Sequence, residues 1–200
     1  IIGAGIVGPN AFGKELQESI HDIYGFRKAE GWKHQIKNAF AINMNVEYHQ
    51  FLLKDKTNHL DLTWINSAKL GSVYTNLSTG LYGRIGFMPL QSILNSIGFN
   101  TNLNNNKNSY FRGAESFMYI QSTLRYAMYD ATLQGSFLNT SSLITKKLVP
   151  FVFDVELGIK FTFNRLNFGY AFVYNTSKSK DLRYTYGHKY GRITVSYLVF

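Results

Sequence analysis

His21 and Gln17 are the residues of this sequence best placed to do chemistry. They sit four positions apart in a helical pattern, so they share a face one turn apart. Imidazole titrates near neutrality, which suits it to take a proton from water as a general base. The pair is offset from an apolar stripe of Phe12, Leu16, Ile20 and Ile23, which predicts a helix over residues 11–24. That helix is expected to pack on the rest of the molecule through the stripe while presenting His21 to a substrate. Asn10 is the expected N-cap and Gly25 the expected stop. Asp22 adjoins His21, but neighbouring helix residues point in different directions, so it is not expected to orient the ring. Taken alone, His21 reads more readily as a structural or solvated histidine than as a catalytic one. His34, His49, His59 and His188 lie at strand ends or within strands and are read that way. No Cys/His zinc spacing, Gly-rich phosphate loop or nucleophile elbow is present. Gly3-Ala4-Gly5…Gly8 is superficially dinucleotide-like but lacks the βαβ context such a motif needs.

The elements that must position this helix have a period of two. Residues 1–7 read as the end of a strand. In residues 36–48 the apolar series Phe40, Ile42, Met44 and Val46 alternates with Asn43, Asn45 and Glu47. Further alternating strands are expected at 59–70, 73–87, 114–129, 149–164, 166–174 and 190–200. The clearest is 149–164. There Phe151, Phe153, Val155, Leu157, Ile159 and Phe161 share one face, opposite Asp154, Glu156, Lys160 and Thr162. A soluble strand averages about 5–6 residues. Sixteen alternating residues reach roughly 50 Å at about 3.3 Å each, enough to cross a bilayer when tilted. Turns are expected near 54–58, 71 and 164–165. Longer connections are expected at 89–110, 132–147 and 177–188, the first an exposed Asn-rich loop. Short turns on one side and long loops on the other is the outer-membrane pattern.

Composition agrees. The longest apolar run, 148–153, is far short of the roughly 20 residues of a spanning helix, and mean hydropathy is −0.15. Aromatics make up 16%, cysteine is absent and there are three prolines, so long uninterrupted strands are possible. The net charge of +9 is scattered rather than gathered into one tract. This argues against a nucleic-acid arm and fits contacts to phosphorylated lipid. The fold class expected is therefore an all-β, antiparallel transmembrane β-barrel with one short helix. A soluble β-sandwich or lipocalin-like barrel is the alternative.

The order Gln17…His21…Gly31-Trp32…Gln35 resembles the outer-membrane lipid A 3′-O-deacylase family. The resemblance continues through Gly71-Ser72-Val73-Tyr74-Thr75, Arg84-Ile85-Gly86, Leu133-Gln134-Gly135 with Phe137, and Val155-Glu156-Leu157-Gly158. It implies a twelve-stranded barrel in the bacterial outer membrane. It also implies a calcium-dependent enzyme that hydrolyses the ester of the 3′-linked acyloxyacyl chain of lipid A. His21 matches the family's catalytic histidine and Gln17 the glutamine one turn before it. Glu30, the only Glu between His21 and Trp32, is the candidate for the family's essential glutamate and metal ligand. Lys14, Arg27, Lys28 and Lys33 are candidates to hold lipid A phosphates. The eight strands here would be the family's last eight. Four strands, with the Asn-Asp pair that helps form the calcium site, would precede them. On this reading residues 1–200 are one outer-membrane domain, N-terminally incomplete and expected to be monomeric. Lipopolysaccharide would be its partner. The alternative within the same fold is a non-catalytic barrel, a pore or adhesin, in which His21 is incidental.

Overall fold

A computed structural model of the chain describes all residues except 29, 93–95, 97–113, 143–144, 181–185 and 198–200. The expectations for the Asn-rich centre of the 89–110 connection and for the last three residues of the 190–200 strand lie outside the described residues.

Eight strands form one antiparallel sheet in sequence order, so every neighbour in space is a neighbour in the chain. They are β1 (Ile2–Val7), β2 (Ala39–Lys54), β3 (Leu60–Gly71), β4 (Tyr74–Gly86), β5 (Glu115–Asp130), β6 (Phe151–Phe163), β7 (Leu166–Asn175) and β8 (His188–Tyr197). Among the described residues, β1 and β8 each pair on one side only. One helix, α1 (Gly13–Tyr24), lies between β1 and β2.

The alternation sorts residues as a lipid-facing wall requires. On β6, Phe151 is 61% exposed and Ile159 43%, while Val152 and Thr162 on the opposite face are buried. The same outward face carries Phe40, Ile42 and Met44 on β2, Leu77 and Leu81 on β4, and Phe168 and Phe172 on β7. A soluble sandwich would bury this face. Water-facing exposure of so many large apolar side chains would be prohibitive, and hydrocarbon is the medium that accommodates it.

The concave face is polar and densely hydrogen-bonded. Arg84 on β4, 1% exposed, bonds Asp61 of β3 through Nε at 2.9 Å and Glu115 of β5 through Nη1 at 3.0 Å. Its Nη2 donates to the Gln91 carbonyl at 3.0 Å. Glu115 also accepts from the Gln91 backbone N–H at 3.0 Å and from the Ser96 hydroxyl at 2.6 Å. One guanidinium and two carboxylates thus compensate one another away from water, as buried charges must. They also fasten Gln91 and Ser96 to the sheet's interior. Above them Tyr82 stacks on Tyr119 at 5.1 Å. Tyr119 lies across its cross-strand partner Gly158, where a Cβ would come within 2.6 Å of the ring.

Several expectations need correction. Because consecutive strands run antiparallel, connections alternate between two ends. The segments 8–38, 72–73, 131–150 and 176–187 share one end, and 55–59, 87–114 and 164–165 share the other. Short turns and long connections are therefore mixed at both ends. In the described part of the 89–110 connection Pro89 and Ser92 are exposed as expected, but Gln91 and Ser96 are drawn inward by Glu115 and Arg84. Strand β2 runs to Lys54 rather than 48, because a bulge between Phe51 and Leu53 inserts a residue and breaks the alternation. Strand β4 starts at Tyr74 rather than 73; Val73 precedes it and is buried with Ala41 and Ala131. A second, four-residue helix, α2 (Ala131–Gln134), is capped by the Asp130 carboxylate, which accepts from the Thr132 N–H at 2.9 Å.

Candidate active site

The site is built on the connection between β1 and β2. Pro9–Ala11 forms a 3-10 turn rather than the start of a helix, and Phe12 takes a left-handed conformation (φ 56°) to begin α1. Asn10 is therefore not the cap. Its backbone N–H donates to the Asn38 side chain at 2.9 Å, tying the helix entrance to the start of β2. Asn38 is tied in turn to the 131–150 connection, its carbonyl accepting from the Asn139 amide at 2.7 Å. Gly25 ends the helix as expected, at φ 66°, a conformation that costs other residues more. That left-handed step turns the chain back along the end of the helix.

The turned-back chain meets His21. Its Nδ1 lies 2.6 Å from the Arg27 carbonyl oxygen, which can only accept, so Nδ1 carries the proton. The Trp32 indole N–H, a donor only, reaches Gln17 Oε1 at 2.9 Å. This fixes the orientation of the Gln17 amide and turns its NH₂ toward His21 Nε2, 3.3 Å away. The network is self-consistent: Trp32 donates to Gln17, Gln17 to His21 Nε2, and His21 Nδ1–H to Arg27 O. It leaves one basic atom, Nε2, whose only hydrogen-bond contact among the described residues is the long, readily displaced Gln17 amide. Phe26 packs edge-on against the imidazole, ring centroids 5.7 Å apart. Trp32 also forms one wall of a cavity of about 460 Å³ shared with Leu133, Thr132 and Lys146 of the neighbouring connection.

The structure thus joins Gln17, His21 and Trp32, three residues of the sequence pattern. Glu30 stands apart. It opens the short 3-10 segment Glu30–His34, is 82% exposed, and faces Arg27 at 3.8 Å. Lys14 is engaged by Glu18 at 3.9 Å. The roles of the Arg27 carbonyl and of Phe26 were not read from sequence, although Gly25 is the signal for the reversal that delivers both. No residue of α1 is buried. Phe12, Leu16, Ile20 and Ile23 are exposed, so the helix does not pack on the barrel through its apolar stripe. Hydrogen bonds through Gln17, Trp32 and Asn10 tie it to the rest of the 8–38 connection instead, which leaves the stripe exposed.

A curved antiparallel wall with an apolar outer face and a polar interior, carrying an ordered histidine on a rim helix, defines an outer-membrane β-barrel with an enzyme-like site. The family described as outer membrane protein LpxR matches residues 2–199, and the chain belongs to that family. This is the family that the Gln17–Gln35 pattern resembles, and it places the barrel in the bacterial outer membrane. No curated protein matches the chain. Among solved structures, LpxR from Salmonella typhimurium aligns with a TM-score of 0.72 at 20% identity, over 98% of this chain and 66% of that one. At this identity the likeness speaks to the fold, and the chain spans 66% of that relative's length.

Proposed function

We propose that the protein is a carboxylic ester hydrolase of the outer membrane that removes the 3′-linked acyloxyacyl chain from lipid A. One observation carries the reading. The chain Trp32–Gln17–His21–Arg27 O fixes the tautomer that leaves Nε2 basic, on a helix whose exposed apolar stripe adjoins it. A merely solvated histidine has no need of a fixed tautomer.

In the proposed reaction a water displaces the long Gln17 contact and hydrogen-bonds to His21 Nε2. The imidazole takes its proton as the oxygen bonds to the ester carbonyl carbon, and Arg27 O stabilises the resulting imidazolium through Nδ1–H. The tetrahedral intermediate collapses by breaking the bond to the sugar 3′ oxygen. The imidazolium returns its proton to that oxygen, so the products are a carboxylic acid and a free 3′-hydroxyl. The Gln17 amide, held by Trp32, positions the water or the substrate. The acyl chains lie along Leu16 and Ile20. Lys28 and Lys33 are exposed, and among the described residues neither forms an ion pair, whereas Lys14 and Arg27 do. They are our candidates for the lipid A phosphates.

Calcium is proposed as the cofactor and Glu30 as a ligand, on the resemblance. When bound it would polarise the carbonyl. Calcium takes about 6–8 oxygen ligands. Among the described residues no three acidic, histidine or cysteine side chains gather around one point. Glu30 alone does not make such a cage, and no step above uses the metal. The proposed partner is lipopolysaccharide and the proposed state a monomer.

The test is mass spectrometry of lipid A from cells producing the protein, with calcium present. The reading predicts a species lighter by one acyloxyacyl unit, absent with His21→Ala. Unchanged acylation in the wild type would leave the non-catalytic barrel in its place.

A further inference from the structure

A second amphiphile-shaped feature lies on the outer wall, away from α1. At the rim shared by the 131–150 and 176–187 connections, two irregular segments pair. Leu148 bridges Ser179, the Val149 N–H donates to Lys178 O at 2.9 Å, and the Lys180 N–H donates to Lys147 O at 2.8 Å. This pairing puts Lys147 beside Lys180, both exposed. Among the described residues no carboxylate pairs with Lys146, Lys147 or Lys180. The nearby acids are engaged elsewhere, Asp154 by Arg125 and Asn175, and Asp130 as the cap of α2. Burial and then the Arg125 guanidinium hold the Lys178 ammonium below the usual lysine value, against the opposing pull of Asp154 and Asp130.

Beside Lys180 the outward face forms a groove of about 650 Å³. Its floor is Leu124, Val149, Phe151 and Phe153, and its upper lip is Ser177, Ser179 and Lys180. That volume lies within the roughly 300–1,000 Å³ of ligand clefts. The groove is continuous with the lipid-facing wall, so its floor meets acyl chains. Its lip meets the head-group layer, where cations pair with phosphate through charge-assisted hydrogen bonds.

We propose that this groove is a binding site for a phosphate-bearing lipid of the outer leaflet, held by its acyl chain on Leu124, Phe151 and Phe153 and by its phosphate on Lys147 and Lys180. It shares no residue with the His21 site and does not depend on catalysis. It is an annular site that fastens the β5–β7 wall to the surrounding glycolipid.

The chain has no cysteine, so a single Leu124→Cys carries an environment-sensitive dye without background. The labelled protein in detergent micelles is titrated with bisphosphorylated lipid A, with the same lipid dephosphorylated, and with inorganic phosphate. A saturable response is expected with the bisphosphorylated lipid alone. Lys147→Gln with Lys180→Gln should weaken it about tenfold or more, while Arg165→Gln at the opposite end and His21→Ala leave it unchanged. Heat-modifiable gel mobility confirms that each variant is folded. Equal response to the dephosphorylated lipid, response to inorganic phosphate alone, or indifference to the lysine pair would each overturn the proposal. Loss of response with His21→Ala would also overturn it, by showing that the dye reports the catalytic site. Inactivity toward lipid A with intact groove binding would count against the proposed reaction only.

Discussion

Leu157 offers a quantitative test of the lipid-facing wall. It is the central residue of the thirteen in β6 and is 50% exposed on the outward face. Its cross-strand partners are Ile120 on β5 and Phe172 on β7, both outward. Replacing it with Arg sets a guanidinium in the middle of an apolar belt with no described carboxylate on that face to meet it. An arginine at the bilayer midplane of a barrel costs about 2–4 kcal/mol. At about 1.36 kcal/mol per tenfold, the folding constant should fall by a factor of roughly 30 to 900. The matched control is Gln121→Lys, on the interior face. Gln121 lines a polar cavity of about 200 Å³ and stands opposite Glu156 in register, so a cation there is solvated and partly neutralised. Its cost should stay within about 1 kcal/mol. The assay is urea unfolding of the protein reconstituted in phospholipid vesicles, followed by the gel-mobility difference between folded and unfolded forms. Equal costs for the two variants, or a larger cost for Gln121→Lys, would refute the assignment of faces.

Three further outcomes are expected. Arg84→Met, which leaves Asp61 and Glu115 as unpaired buried carboxylates, should destabilise by about 3–5 kcal/mol in the same unfolding assay. A loss under about 1 kcal/mol would mean that the cluster is solvated. In the turn at 55–59, the Thr57 hydroxyl and then the Leu60 N–H hold the Asp55 carboxyl down at about 2 from an ordinary 3.8. A depressed carboxyl stabilises the fold above its unfolded value and loses that contribution as pH falls through its folded value. Asp55→Asn should therefore flatten the stability profile between about pH 4 and 2, and an unchanged acid limb would contradict this. Trp32→Phe keeps the ring but removes the N–H that orients Gln17, so turnover of lipid A should fall about tenfold, as one lost hydrogen bond implies, with the circular dichroism spectrum unchanged. Full activity would show that the Gln17 amide needs no anchor.

The barrel wall was legible in the sequence because a period of two over long spans admits few other structures. On β6 every outward residue named from sequence is outward in the fold. The pairing of Gln17 with His21 followed from helical spacing, and Trp32 entered through the family pattern. What was not legible depends on contacts made across the sheet. Arg84 entered only through the Arg84-Ile85-Gly86 pattern, and its acids lie 23 and 31 positions away, joined to it by register. The 89–110 connection was read as exposed, and nothing local shows that Glu115 and Arg84 draw Gln91 and Ser96 inward. The cap of α1 was misassigned because Pro9 favours a tight 3-10 turn that consumes Asn10, a competition spacing alone does not reveal. Asp130 did carry a capping signal for α2, with Thr132 two residues on, but the strand pattern running up to it masked that signal. The lipid groove arises from two irregular segments that pair, and irregular segments have no period to read.

The central claim is that His21 Nε2 is the base of an ester hydrolysis at the rim of this barrel. It is tested most directly by following acyloxyacyl release from lipid A by the purified protein in calcium-containing micelles, wild type against His21→Ala. The account predicts steady release by the wild type and a drop of at least about 100-fold in the variant, with both proteins equally folded by gel mobility. Undiminished release by His21→Ala would contradict it.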